Sequence, residues 1–424
     1  MLLLLTAVSA LTATSFSDVA PVIEKRCVGC HQPGEIAPMA FTSYQEIRPW
    51  AKAIRAAVIR KSMPPWHADP AKSVDIANSR ALSTKEIETI VEWVDAGAPT
   101  GTATIRTTPR DRGGWRTGKP DLIVKIPGHA IPAKGIMEYV FLVAAADIPE
   151  DRWIRAAEWK IDQRAVVHHM NAFIRPPGSS YLKDAPRGVT YQATRAERAA
   201  RRPDEAETDR RELLLGYEPG YMPIEWKDRG KLLRKGSDIV FEIHYTPNGA
   251  ATADSSELGL YFASAPPRER VLTITPADAN LNIPPGDPAY ESKVSATFTR
   301  EVELISLQPH MHFRGKAFHI TLRYPDGRTA PLLDVPRYDF NWQSTYFLAK
   351  PLLLPKGTTI EYTAVFDNSP NNKANPDATK SVQWGDQSFE EMNIGFTEVA
   401  FPASADPNVA ILSGTTRPKP TTSN

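Results

Sequence analysis

A small all-α domain followed by two all-β sandwiches is the architecture this sequence predicts, and three observations predict it. At 424 residues the chain exceeds what one compact core serves, which suggests two to four domains. The first hundred residues contain one capped amphipathic helix pattern, "LSTKEIETIVEWVDAGAP". Past residue 118 the pattern changes to short alternating runs, "DLIVKI", "SDIVFEIHY", "EVELISL" and "TTIEYTAVF", divided by turn signals such as "YPDGR", "LPKG" and "DNSPNN". The 38 prolines favour such short strands over long helices.

The chain opens on "MLLLLTAVSALTATSFSDVA", which reads as a secretory leader over residues 1–17, with small residues near Ala10 and Ala13 suiting cleavage. A periplasmic or secreted location follows as an expectation. No apolar stretch reaches the length of a membrane span, so none is expected in the mature chain. Lys and Arg number 50 against 49 Asp and Glu, a net charge of +1, which argues against a nucleic-acid partner.

In the helical pattern Ser83 and Glu86 form a capping box, Ile87, Ile90, Val91 and Val94 make one apolar face, and Gly97 ends it. The first domain is expected over 18–100. A Gly-, Pro-, Thr- and Arg-rich linker follows over 101–117. The sandwiches are expected over 118–265 and 266–402, with "SAPPRER" as the seam, and a disordered tail over 403–424. "TRAERAARRPDEAETDRRELL" reads as a charged helical insert with a solvated face.

Both cysteines of the chain lie in "RCVGCHQPGEIAPM": Cys27 and Cys30, with His31 directly after. C-x-x-C-H is the attachment pattern of c-type haem, in which two thiols add to the vinyl groups and the adjacent histidine ligates the iron. A redox C-x-x-C needs no histidine, and half a zinc site would need two more ligands nearby. One covalent haem c is therefore expected. Met63 in "RKSMPPWHADP" is the expected sixth ligand, with Met39 and His67 as rivals. The stretch resembles bacterial cytochrome c domains.

Nine histidines are present, and five fall in three strings of the β region. "VVHHMNAF" holds His168 and His169, "FEIHYTPNG" holds His244, and "LQPHMHFRG" holds His310 and His312. In a strand, positions i and i+2 share a face, so His310 and His312 converge while Met311 points away. Adjacent His168 and His169 diverge in a regular strand and need a bulge or a strand end to share an ion. Imidazoles of this kind suit zinc, copper or iron, and a thioether alongside them would favour copper. With no third cysteine, a blue-copper His–Cys site is excluded.

The order HH, HY, H-x-H and a late "EEM" resembles the copper type II, ascorbate-dependent monooxygenases, the family of the peptidylglycine α-hydroxylating and dopamine β-monooxygenases. The resemblance covers roughly 118–402, weakly outside the motifs. It implies two jelly-roll sandwiches, each carrying one copper. His168, His169 and His244 would hold the electron-transfer copper; His310, His312 and Met392 would hold the copper where O2 is activated, across a solvent-filled cleft. The family disulfides have no counterpart here. Gln308 stands where the peptidylglycine enzymes place an arginine for the substrate carboxylate, and Phe396 where they place a tyrosine, which argues against a peptidylglycine substrate.

The resulting expectation is a haem- and copper-dependent oxidoreductase hydroxylating a C–H bond of an unidentified organic substrate with O2. Its fused cytochrome would supply electrons from an external donor. The alternatives are a non-catalytic haem and copper carrier, store or sensor, and a sandwich module with a structural zinc. Haem attachment should depend on both thiols. Protein from a haem-maturing host should keep its haem stain through denaturation, and Cys30→Ala should weaken or abolish it; stain that washes out of the parent removes the c-type assignment.

Overall fold

The computed structural model describes residues 14–33, 35–107, 114–135, 137–194, 196–197 and 211–413. The chain is mostly β-sheet with a few helices. It divides into two compact units. One runs up to Trp66 and resumes over Arg80–Arg112, so that most of the expected linker belongs to it; the other takes His67–Ser79 and the chain from Gly113 on. Most of the leader, and most of the charged insert, lie outside the described residues.

The first unit is built on helices α1 (Phe16–Arg26), α2 (Tyr44–Ile47), α3 (Ala51–Ile59) and α4 (Thr84–Asp95). The capping box at α4 is present: Ser83 N donates to Glu86 Oε2 at 2.7 Å, and Glu86 N donates to Ser83 Oγ at 3.2 Å. Gly97 follows at φ +89°, the left-handed conformation that ends a helix at least cost. The face that α4 buries centres on Ile90 and Trp93, both fully buried; Trp93 donates its indole N–H to Pro99 O at 2.9 Å. Phe16 is buried in the same core, edge-on to Tyr44 at 5.1 Å. Phe16, inside the stretch read as a leader, thus opens α1 and packs inside the unit.

The second unit contains a nine-stranded sheet whose two halves are each faced by a five-stranded sheet. In the first half, Leu142, Ile174, Phe241 and Ile243 of the facing sheet share one core with Ile154, Trp159, Leu258 and Leu260 of the long sheet. In the second half the sheets meet closely at Gly395, where a Cβ would lie 2.2 Å from the Tyr362 ring. Strands such as Tyr290–Phe298 and Thr359–Phe366 alternate buried and part-buried positions, the period-2 pattern read in the sequence.

The long sheet crosses the seam through a short parallel pairing, Glu269 with Arg229 and Arg270 with Gly230. Lys231 sits beside it, fully buried, with Glu212 at 2.9 Å, Glu398 at 3.2 Å and Thr273 Oγ1 at 2.7 Å. Glu398 lies on Ile394–Pro402 and Lys231 on Arg229–Leu233, so one ammonium ties strands of both halves.

Two boundaries differ from expectation. Residues 67–79 pack with the sandwiches, not with the helices. Asp69 N donates to Asp334 O, Val74 N to Leu332 O and Ala77 N to Phe347 O, while Ala349 N donates to Asp75 O. Thr329–Val335 and Tyr346–Leu354 are terminal strands of their two sheets, so this strap satisfies edge groups that would otherwise stay open. The tail expected to be disordered after Pro402 instead adds a strand, Ala410–Ser413, beside Tyr290–Phe298.

Removing the buried ammonium should expose the Glu212–Glu398 carboxylates to each other. Lys231→Met should lower stability by about 3–5 kcal/mol, read as a lower urea midpoint. Adding Glu212→Gln and Glu398→Gln should restore most of the loss.

Candidate metal centres and haem motif

His169 and His244 are paired across neighbouring antiparallel strands, and the register then slips so that Tyr245 faces Val167. His168 is the extra residue. This is the bulge that adjacent histidines need to aim at one point. The ligand atoms of His168, His169 and His244 all lie within 4.8 Å of one another. His168 Nδ1 is 3.0 Å from His169 Nδ1, and His244 Nδ1 is buried with no hydrogen-bond partner.

The outer nitrogens are occupied. His169 Nε2 is 2.9 Å from the Tyr139 hydroxyl. His168 Nε2 is 3.2 Å from Asn341 Oδ1; because Asn341 Nδ2 donates to Asp339 Oδ1 at 2.9 Å, the amide oxygen is the atom turned to His168. His168 therefore donates outward and keeps its lone pair on Nδ1. Burial lowers the basicity of all three rings, that of His244 to about 3.

The second set is arranged with the opposite nitrogens. His310 ends its strand, and His312 follows two residues on. His310 Nδ1 is 2.6 Å from Gln343 Oε1, and Gln343 Nε2 is committed to Phe340 O at 3.2 Å, so His310 Nδ1 is the donor. His312 Nδ1 is 3.1 Å from Glu390 O, an acceptor only, so it also donates. Both Nε2 atoms then carry lone pairs, and they face each other at 3.2 Å. Two acceptors that close repel unless a cation lies between them. A proton is a poor candidate: burial pushes His310 down to about 4 and His312 well down. Imidazole nitrogens about 2.0 Å from one ion at tetrahedral angles stand about 3.3 Å apart, so the geometry fits a shared metal.

Met392 is buried in the same region. His310 pairs with Ile394, and the antiparallel register continued by two residues sets Met392 opposite His312. The preceding Glu391 carboxylate accepts from His312 N at 2.9 Å and from Arg314 N at 2.6 Å, which fixes this segment against the H-x-H turn. Burial pushes that carboxyl up to about 8, against the pull of its N–H donors.

The two sets are neighbours. The Phe340 ring lies 5.7 Å from His168, 6.1 Å from His169, 6.1 Å from His244 and 6.0 Å from His312. It is itself buried. Both sets thus meet the same buried phenyl ring. Gln308 and Phe396 are engaged too: Gln308 Nε2 donates to Gln343 O at 3.1 Å, and Phe396 packs against His310 and the core around Tyr139. Tyr139, Phe340, Asn341, Gln343 and Glu391 escaped the sequence reading. The aromatic and amide density of "RYDFNWQSTYF" was the available signal for three of them.

In the helical unit, Cys27 caps α1 and Cys30 follows one turn later; neither is in a disulfide. Burial, followed by the neighbouring Cys30, pushes the Cys27 thiol up to about 12. His31 stacks on Phe41 at 4.2 Å and 3°, and its Nδ1 donates to Met39 O at 3.2 Å, leaving Nε2 as the ligand atom. Two thiols outside any disulfide, one turn apart, and an imidazole held through Nδ1 fit covalent haem. Met63 is 40% exposed, and Met39 is partly buried against the helical core. His67 groups with the second unit, near Tyr338 and Trp342.

No family model matches the chain, and no curated protein matches it. Solved structures that resemble it include the infectious bursal disease virus VP2 subviral particle, at 14% identity and a TM-score of 0.20, covering 66% of this chain and 62% of that one. The Gt strain structure of the same virus matches at 13% identity and a TM-score of 0.20, covering 65% and 59%. The chain spans about three fifths of the length of these structures, and a likeness this slight bears on no further point.

The depressed imidazoles predict a pH dependence of the metal-free protein. Groups with lowered basicity contribute stability above their unfolded value of 6.5 that is lost as pH falls towards their folded values, about 4 for His310. Urea midpoints should therefore fall between about pH 6.5 and 4, and His310→Gln should reduce that dependence by about one proton.

Proposed function

We propose that the protein is a haem- and copper-dependent oxidoreductase, a monooxygenase that hydroxylates a C–H bond. The observation that carries the metal reading is the pair of facing Nε2 lone pairs of His310 and His312, both of whose Nδ1 atoms are committed as donors. In this reading His310, His312 and Met392 hold the copper that meets O2, and His168, His169 and His244 hold a second copper. Helices α1–α4 form a cytochrome c domain with haem on Cys27, Cys30 and His31, and the two sandwiches are jelly rolls. The protein works outside the cytoplasm, where c-type haem is attached.

The reaction balances as substrate C–H plus O2, two electrons and two protons, giving C–OH and water. Bound copper supplies one-electron redox chemistry and oxygen activation, which side chains alone lack. The chain's own contribution is geometric. Gln343 and Glu390 O retain the Nδ1 protons of His310 and His312 and so aim both Nε2 atoms inward, as Tyr139 and Asn341 orient the first set. Glu391 clamps the backbone on which His312 and Arg314 sit. Covalent fusion keeps the haem donor at high effective concentration without a tight interface.

The competing reading is a non-catalytic haem and copper carrier. It is favoured by the packing of Gln308 and Phe396, which occupies the positions where the family holds its substrate.

Protein matured in an exporting host should carry two coppers beside one haem. His168→Ala or His244→Ala should remove one copper and leave the other; loss of both would mean a single shared site. Met392→His separates enzyme from carrier. It should retain copper, since imidazole is also a ligand, but favour the cupric state and sharply reduce reductant-driven oxygen uptake. Peroxide release, with free copper chelated away, gives a readout that needs no substrate. Equal release by parent and variant at equal copper loading favours the carrier.

A further inference from the structure

One short loop serves both histidine sets. Asn341 receives the outer N–H of His168 from the first set, and Gln343, two residues later, receives the outer N–H of His310 from the second. Phe340, next to Asn341 on this loop, is buried with its ring in reach of four of the five histidines.

The loop is held rigid. Asn341 N and Nδ2 both donate to Asp339 Oδ1 at 2.9 Å, and Gln343 Nε2 donates to Phe340 O. The Tyr338 hydroxyl accepts from Met311 N at 3.0 Å and donates to Met311 O at 2.8 Å, locking the start of the loop to the residue between His310 and His312. Its flanks are pinned by the strap: Asp334 N donates to Ser73 Oγ at 3.0 Å, Asn78 Nδ2 donates to Thr345 O at 2.7 Å, and Phe347 N donates to Asn78 Oδ1 at 3.0 Å.

We infer that Asp339–Gln343 is a single clasp over both centres, with Phe340 as a dry spacer that fixes their separation, so that two bound ions form one coupled pair. The inference rests on the reading of two metal centres. Each set has a ring within 5.7–6.1 Å of the same buried phenyl group. Independent centres across a solvent cleft would need no shared loop, and no apolar side chain in contact with both. Phe340 is here a positioning residue: it coordinates nothing, and it sets where the two ions stand relative to each other.

The test uses the full chain loaded with cupric ions and the line shape of its copper EPR signal. His244→Ala and His312→Ala, each loaded, supply the spectra of the single centres. The parent spectrum is expected to differ from their sum, with dipolar broadening and a half-field transition. Phe340→Ala is expected to keep two coppers per chain and unchanged single-centre features while the dipolar pattern smears or is lost, because water and loop motion replace the spacer. Phe340→Leu, which refills much of the volume, is expected to recover it.

A parent spectrum equal to the sum of the single centres, at two coppers per chain, overturns the inference and leaves the two-centre reading standing. Unchanged dipolar structure in fully loaded Phe340→Ala overturns the spacer role. Fewer than two coppers in the parent overturns the two-centre reading and the inference with it. The parent comparison decides the question even if the alanine variant does not fold.

Discussion

An imidazole has one N–H and one lone pair when neutral, and the metal-centre region is organised around that constraint. Gln343 and the Glu390 carbonyl take the N–H of His310 and His312, so both lone pairs are forced inward to 3.2 Å. Such an arrangement is unfavourable by itself, and burial closes the usual escape of protonation, as the lowered basicity of both rings records. Strain of this kind at buried polar atoms persists only where the surroundings over-determine it. Here they do: Glu391 grips the backbone on both sides of Phe313, and Tyr338 grips Met311.

The first set reaches the same end with a looser balance. A shared proton could satisfy the 3.0 Å pair His168 and His169, yet the buried Nδ1 of His244 remains without a partner. A bulge places His168 beside His169, and the bulge sits where the strand begins, so the rest of the pairing with Asp238–Tyr245 stays regular. Both sets therefore stand at strand ends, where backbone geometry can depart from the ladder without unsettling the sheet.

The clustering of the histidines was legible in the sequence because it follows from their spacing: an H-x-H pair at a strand end, and an adjacent pair that demands a bulge. The alternating strands and the capped helix α4 were legible for the same reason, since period and caps are local properties. What escaped was contributed by residues distant in sequence. Trp93 anchors the α4 face, although the apolar pattern centred on the aliphatic positions. Tyr139, Asn341 and Gln343 look like ordinary polar residues until the fold brings them to an imidazole. The strap at 67–79 reads as part of the helical domain because its strand-edge partners lie more than 250 residues away.

The separation of the two sets also depends on how the sandwiches are joined. Near the histidines, Phe340, Asn341 and Gln343 of one loop touch both sets. At the seam, the link is the pairing of Glu269 and Arg270 with Arg229 and Gly230, beside the buried Lys231 network. The strand that carries Glu398 of that network begins two residues after Met392. The same strand thus anchors the charged knot and leads into the thioether segment. A change at the knot would disturb the register of Ile394–Pro402 against Val302–His310, whose last pair is His310 with Ile394. Buried ion networks add little net stability compared with apolar packing, but they impose a unique arrangement when every partner is satisfied. With Glu212, Glu398 and Thr273 all on its ammonium, Lys231 fixes one arrangement of the strands that meet at the seam.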